Sequence, residues 1–131
     1  MKIVIAQGWT DCHRAFIATA LATATLADIE FQTENGAQLW EVQDDAGQVV
    51  AAFVLRVDLL ACRTVGVVVA AGGNLPGVDL TAAIMPCIER LFIGIDAITV
   101  HTARPGLVRK LAPQGFRPVE IILEKQVQKH G

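Results

Sequence analysis

At 131 residues, with 53% apolar and 18% charged side chains, the chain has the size and composition of one folded domain spanning residues 1–131, which excludes a disordered or fibrous class. No apolar run reaches the ~18–20 residues of a membrane helix, and residues 1–6 are too short for a signal sequence, so a cytoplasmic protein without a membrane partner is expected. The net charge of −2 is uneven, with three basic and eight acidic side chains in residues 1–60 against eight and five in residues 61–131.

Residues 2–6 are short, apolar and β-branched, the signature of a first strand. Gly8-Trp9 breaks it, and Thr10 is an N-cap with Asp11 in the first turn of a helix carrying Phe16, Ile17, Ala20, Leu21 and Ala24 on one face. A second helix from Leu26 to about Glu34 stops at Asn35-Gly36. Residues 38–43 and 48–58 read as a hairpin around Asp44-Asp45-Ala46-Gly47. The unbroken small and branched run of residues 64–71 has the composition of a strand buried on both faces.

A glycine-rich loop, residues 72–77, leads to a helix from Asp79 to about Ile93, which Pro86 is expected to kink or shorten. Residues 97–101 form a strand, Arg104-Pro105 opens a helix to about Ala112, and residues 116–127 form a closing strand. This order predicts an α/β fold with a mixed sheet of about six strands and helices on both faces.

The pieces QLWEVQDDAGQVVAAFVLR, VVVAAGG, ARPGLVRKLAPQGF and EIILEK together resemble the GNAT (N-acetyltransferase) fold, and in particular short GNAT-like proteins of bacteriophages. The resemblance implies an acyl-CoA site, with acetyl-CoA as cofactor. It assigns Val68, Val69 and Ala70 to the pantetheine arm, and Gly72, Gly73, Asn74, Leu75, Gly77 and Val78 to the pyrophosphate, where backbone N–H groups gather at a helix start. Arg104, at the head of a basic cluster with Arg109 and Lys110, would add a phosphate contact. The family's leading Arg or Gln of the phosphate loop is missing, and Asp79 stands at the helix start.

Acetyl transfer needs a base for the amine and an acid for the leaving thiolate. The family's acid is a Tyr four residues before the Gly-Phe turn; here that position is Leu111, and the chain has no Tyr. His101 at a strand end and Glu41 are the remaining catalytic candidates, with Glu30 near the same groove. Cys62 and Cys87 are nucleophiles only with a depressed pKa. Three cysteines without a C-x-x-C pair fit free thiols, and no metal site is expected because Cys12 and His13, as sequence neighbours, diverge on a helix.

Two functions follow. One is an acyl-CoA-binding protein with weak or degenerate N-acetyltransferase activity toward a small-molecule or protein amine, phage-encoded and acting in the host cytoplasm. The other is a non-catalytic GNAT-fold structural or interaction protein, such as a phage virion component, engaged in self-association or with phage structural proteins. Nucleic acid is not an expected partner, because the aromatic residues do not interleave with the basic ones.

Overall fold

A computed structural model describes residues 1–21 and 23–128. Among these, the chain forms β1 (Lys2–Ile5), α1 (Asp11–Ala18), α2 (Leu26–Glu34), β2 (Gln38–Gln43), β3 (Val49–Leu59), β4 (Thr64–Gly73), α3 (Leu80–Leu91), β5 (Ala97–Val100) and α4 (Pro105–Leu111), closed by a 3-10 turn over Ala112–Gln114. The strands make one sheet in sequence order, β1 to β5. The first three pairings are antiparallel, and β4 pairs with β5 in parallel.

Alternation along the strands sends side chains to two faces, and each face is closed by its own helices. Ala52 and Val54 of β3, with Val65 and Val67 of β4, pack against Ile17 of α1 and Ile29 of α2. Phe53, Leu55 and Val68 pack on the other face against Met85, Ile88 and Phe92 from the α3 region and Leu111 of α4. Trp40 lies parallel to Phe53 with ring centroids 6.4 Å apart, anchoring the hairpin on this face. Gly66 lets the Phe92 ring sit on β4, since a Cβ there would lie 2.7 Å from three ring carbons.

Both N-terminal helices start from capping boxes. Thr10 receives the His13 amide and Thr25 the Asp28 amide, while the side chains of His13 and Asp28 return to the cap amides. The Arg14 Nε donates to Glu30 Oε1 at 2.7 Å and ties α1 to α2, which assigns Glu30 to helix packing.

Four expectations are corrected. The closing strand over residues 116–127 is absent: Phe116 packs on the second core cluster, but residues 117–128 pair with no strand, so the sheet has five strands rather than about six. Hydrophobic patterning selects an extended conformation, but a strand also needs a neighbour whose backbone groups are free. The fourth strand extends through Gly72 and Gly73, because both remain in register with β3. The third helix runs unbroken through Pro86, where buried Met85 and Ile88 hold the flanking turns on the sheet. The first helix ends at Ala18, before Ala20, Leu21 and Ala24.

Candidate functional site

The sheet opens at one place. The β4–β5 pairing runs from Val65 opposite Ala97 to Val68 opposite Val100, and the His101 amide adds a last bond to the Val68 carbonyl at 3.1 Å. Beyond it β4 continues for five residues, paired only with β3. A β-bulge falls at the same place. The β3 partner shifts from Leu55 opposite Val68 to Val54 opposite Ala70, leaving Val69 as the extra residue. The two core clusters record the same event, since Val67, Val69 and Ala70 all join the α1–α2 face while Val68 and Ala71 join the other.

The bulge decides which backbone groups face the opening. The Asn74 amide donates to the Val50 carbonyl at 2.8 Å, so this pair is a hydrogen-bonded one. Antiparallel pairing alternates, so Gly72 and Ala70 also bond to β3, while Ala71 and Gly73 turn their amides and carbonyls away from it. Arg104 reaches across the gap from the segment after β5 and donates Nη2 to the Ala71 carbonyl at 3.5 Å.

The remaining predicted residues divide. Gly72 and Gly73 lie within β4, and their small size is explained by packing. A Cβ on Gly72 would meet the Phe16 carbonyl oxygen at 2.0 Å, and one on Gly73 the Ala51 Cβ at 2.4 Å. Asn74, Leu75, Gly77 and Val78 form the exposed or half-buried connection to α3, with Gly77 at φ +79° in the left-handed region that glycine tolerates. Asp79 caps α3 by accepting the Ala82 amide at 3.3 Å, with Lys110 Nζ 3.9 Å from the same carboxylate.

The two catalytic candidates do not meet. His101 is exposed at the mouth of the gap, whereas Glu41 lies on β2, three strand spacings from β5, or about 14 Å. Glu41 is instead half of a pair with His13 that the sequence reading missed. His13 is 2% exposed and its Nδ1 accepts the Thr10 amide at 3.0 Å, so Nε2 carries the proton and donates to Glu41 Oε1, also at 3.0 Å. Gln43 Nε2 donates to the other Glu41 oxygen at 2.8 Å, and Trp9 stands edge-on to the imidazole. The Thr10-x-x-His13 spacing was the available signal: at the third position of a capping box a histidine must fold back onto the helix start.

This pair lines an open cleft of about 650 Å³ between β1, β2 and the start of α1, which is not at the β4–β5 gap. The gap is the stronger candidate for ligand chemistry. The polar groups of the His13–Glu41 pair already satisfy one another, whereas the gap presents backbone groups without a strand partner. Leu111 is 3% exposed in the core, and Cys62 and Cys87 are free thiols, neither of them facing the gap from β4 or β5. Among the described residues no cluster of three or more His, Cys, Asp or Glu side chains is arranged to hold a metal, and no helix is long and apolar enough to cross a membrane.

An antiparallel run of four strands, a parallel fifth that parts from the fourth at a bulge, and helix pairs on both faces define a GNAT-like fold. Solved structures that share it include the ribosomal-protein-alanine N-acetyltransferase of Brucella melitensis biovar Abortus, with 14% identity, 98% of each chain covered and a TM-score of 0.63. An aminoglycoside antibiotic 6'-N-acetyltransferase of Acinetobacter baumannii matches with 10% identity over 98% of this chain and 99% of its own, at a TM-score of 0.65. The corresponding enzyme of Acinetobacter haemolyticus gives 12% identity over 99% and 100%, at 0.62. At these identities the likeness is one of fold. No protein-family model matches the sequence, and no curated protein does.

Proposed function

We propose that this chain binds an acyl-CoA along the open edge of β4 and acts as a weak or degenerate N-acetyltransferase toward an amine-bearing small molecule or protein. The observation that carries the reading is the bulge at Val69 together with the end of the β4–β5 ladder at Val68. These leave the Ala71 and Gly73 backbone groups without a strand partner, the Ala71 carbonyl being met only by Arg104, at an edge where an amide-bearing arm can add as a strand would. Val69, Ala71 and Gly73 are the arm-binding positions in this reading, in place of Val68 and Ala70, whose carbonyl or amide groups are spent on β5 and β3.

The diphosphate end is supported less directly. Gly77 offers exposed backbone before α3, but the Val78 amide already donates to the Leu75 carbonyl at 3.2 Å and Asp79 caps the helix, so charge neutralisation falls to Arg104 and Lys110. A bound acyl-CoA would supply the thioester; the chain's own contribution is to align it and to exclude water on the β4 side. His101, exposed beside the last rung of the ladder, is the titratable group positioned to accept a proton from an incoming amine.

A second reading, a non-catalytic GNAT-fold interaction protein such as a phage virion component, is favoured by one observation: buried Leu111 occupies the place of the family's acid. Thermal unfolding with and without acetyl-CoA tests the binding. A ligand at 100 times its Kd adds about 2.7 kcal/mol, and an unchanged midpoint at millimolar acetyl-CoA overturns the proposal. A71P sharpens the test, because it removes only the amide that faces the gap and spares the β3–β4 ladder. Binding without turnover over a panel of amines selects the second reading.

A further inference from the structure

The His13–Glu41 pair is complete in its hydrogen bonds and unbalanced in its charge. The Glu41 carboxylate sits on a side chain only 14% exposed, yet both donors that reach it are neutral. One is the Nε2–H of His13, whose Nδ1 is held as the acceptor of the Thr10 amide, and the other is the Gln43 amide. Among the described residues no Lys, Arg or amino terminus pairs with Glu41. A carboxylate withdrawn from water is costly without a counterion. It offers about four acceptor sites, and these two donors leave room for more.

The cleft beside it has matching chemistry. Its volume of about 650 Å³ falls in the range of small-molecule sites, roughly 300–1,000 Å³. Among the described residues that line it, Glu41 alone is acidic and none is Lys or Arg. Val4, opposite Glu41 in the β1–β2 register, and Trp9 provide apolar walls. The indole is fixed by donating its Nε1–H to Thr33 Oγ1 at 2.9 Å. Gln43 spends its side-chain nitrogen on Glu41, which leaves its oxygen for a second donor.

Charge and ligand count restrict the occupant. An anion would meet Glu41 unopposed, which disfavours phosphates. A metal ion needs more donors: both His13 ring nitrogens are engaged, and no group of three His, Cys, Asp or Glu is found among the described residues. An ammonium supplies the missing charge and N–H donors, and an apolar body can pack on the walls, with Trp9 also able to attract the cation.

We infer that this cleft binds a small organic cation, a primary ammonium on an apolar body, held by Glu41 and Gln43 against Val4 and Trp9. The acidic excess of residues 1–60 would draw such a ligand in. Two strand spacings, about 10 Å, separate β2 from β4, so an amine held here is out of reach of a thioester on β4. The inference is therefore independent of acyl-CoA binding.

Benzylammonium is the probe and benzyl alcohol its neutral counterpart, titrated into the full chain at matched ionic strength and followed by amide and indole N–H chemical shifts. Saturable shifts at Gly8, Trp9 and Glu41 are expected with benzylammonium, with a Kd below about 10 mM, and none with benzyl alcohol. E41Q keeps an oxygen for His13 and removes the charge, so binding should weaken at least about 10-fold. V4K sets an ammonium of its own opposite Glu41 and should abolish probe binding with Glu41 and its partners intact. Melting without probe confirms that each variant is folded. No saturation by about 10 mM, equal binding of benzyl alcohol, unchanged affinity in either folded variant, or shifts confined to Ala71 and Gly73 at the β4–β5 gap overturns the inference.

Discussion

Gly72 distinguishes a glycine kept for packing from one kept for a ligand. Replacing it with alanine places a Cβ 2.0 Å from the Phe16 carbonyl oxygen, 2.8 Å from its carbon and 2.9 Å from Thr19 Oγ1. Ordinary contact begins near 3.4 Å, so α1 must move by about 1.4 Å or β4 must bend. The obstacle is main chain at the end of a helix whose Ile17 is completely buried, and no rotamer change relieves it. Overpacking of this kind costs about 1–3 kcal/mol, and a backbone obstacle belongs at the upper end. For a chain of this length about 3 kcal/mol lowers the melting midpoint by roughly 10 °C. Urea unfolding followed by the fluorescence of Trp9 and Trp40, without any ligand, measures it. G106A is the control, since its Cβ meets nothing closer than 3.9 Å and alanine within a helix gains about 0.5–1 kcal/mol over glycine. If Gly72 served only the approach of a phosphate, ligand-free G72A would be as stable as the parent or slightly more so. That result would refute the packing argument.

Other expectations follow from the same geometry. E41A leaves the Nε2–H of buried His13 without its acceptor and should cost about 1–3 kcal/mol in chemical denaturation, whereas E41Q keeps an acceptor oxygen and should lose less. L111Y, which places a tyrosine where the GNAT resemblance expects an acid, should lower stability by about 1–3 kcal/mol, because the position is buried in the core. The Thr25 amide and hydroxyl hold the Asp28 carboxyl below its ordinary pKa. The stability this gives is present above the unfolded value, about 3.9, and is lost as pH falls through the lower folded value. D28N should therefore flatten the acid limb of a melting-temperature profile below about pH 4, and an unchanged limb would count against the cap.

Much of the fold was legible in residue patterns because local rules fix it. The hairpin around Asp44–Gly47, the buried run of β4, Thr10 and the Arg104-Pro105 helix start are short-range signals, and the mixed sheet with helices on both faces follows from their order. The candidate site was legible only as a region. Val68, Val69 and Ala70 lie in the stretch of β4 where it parts from β5, yet which amides turn away from β3 depends on one extra residue at Val69, and a bulge has no composition of its own in a run of valines and alanines. Gly72 and Gly73 show the reverse case: as sequence they suggest a phosphate loop, and their positions against Phe16 and Ala51 show a packing need.

Local sequence thus determined most of the elements and their order, through propensity, capping and alternation acting over a few residues, but not the closing strand. Tertiary structure decided the partners. It joined Glu41 to His13 across 28 positions, moved Leu111 into the core, parted β4 from β5, and left residues 117–128 without a neighbour. The physical reason is common to all four. Hydrogen bonds and apolar contacts stabilise only when both members are brought together, and for residues far apart in sequence that meeting is set by the packing of the whole chain.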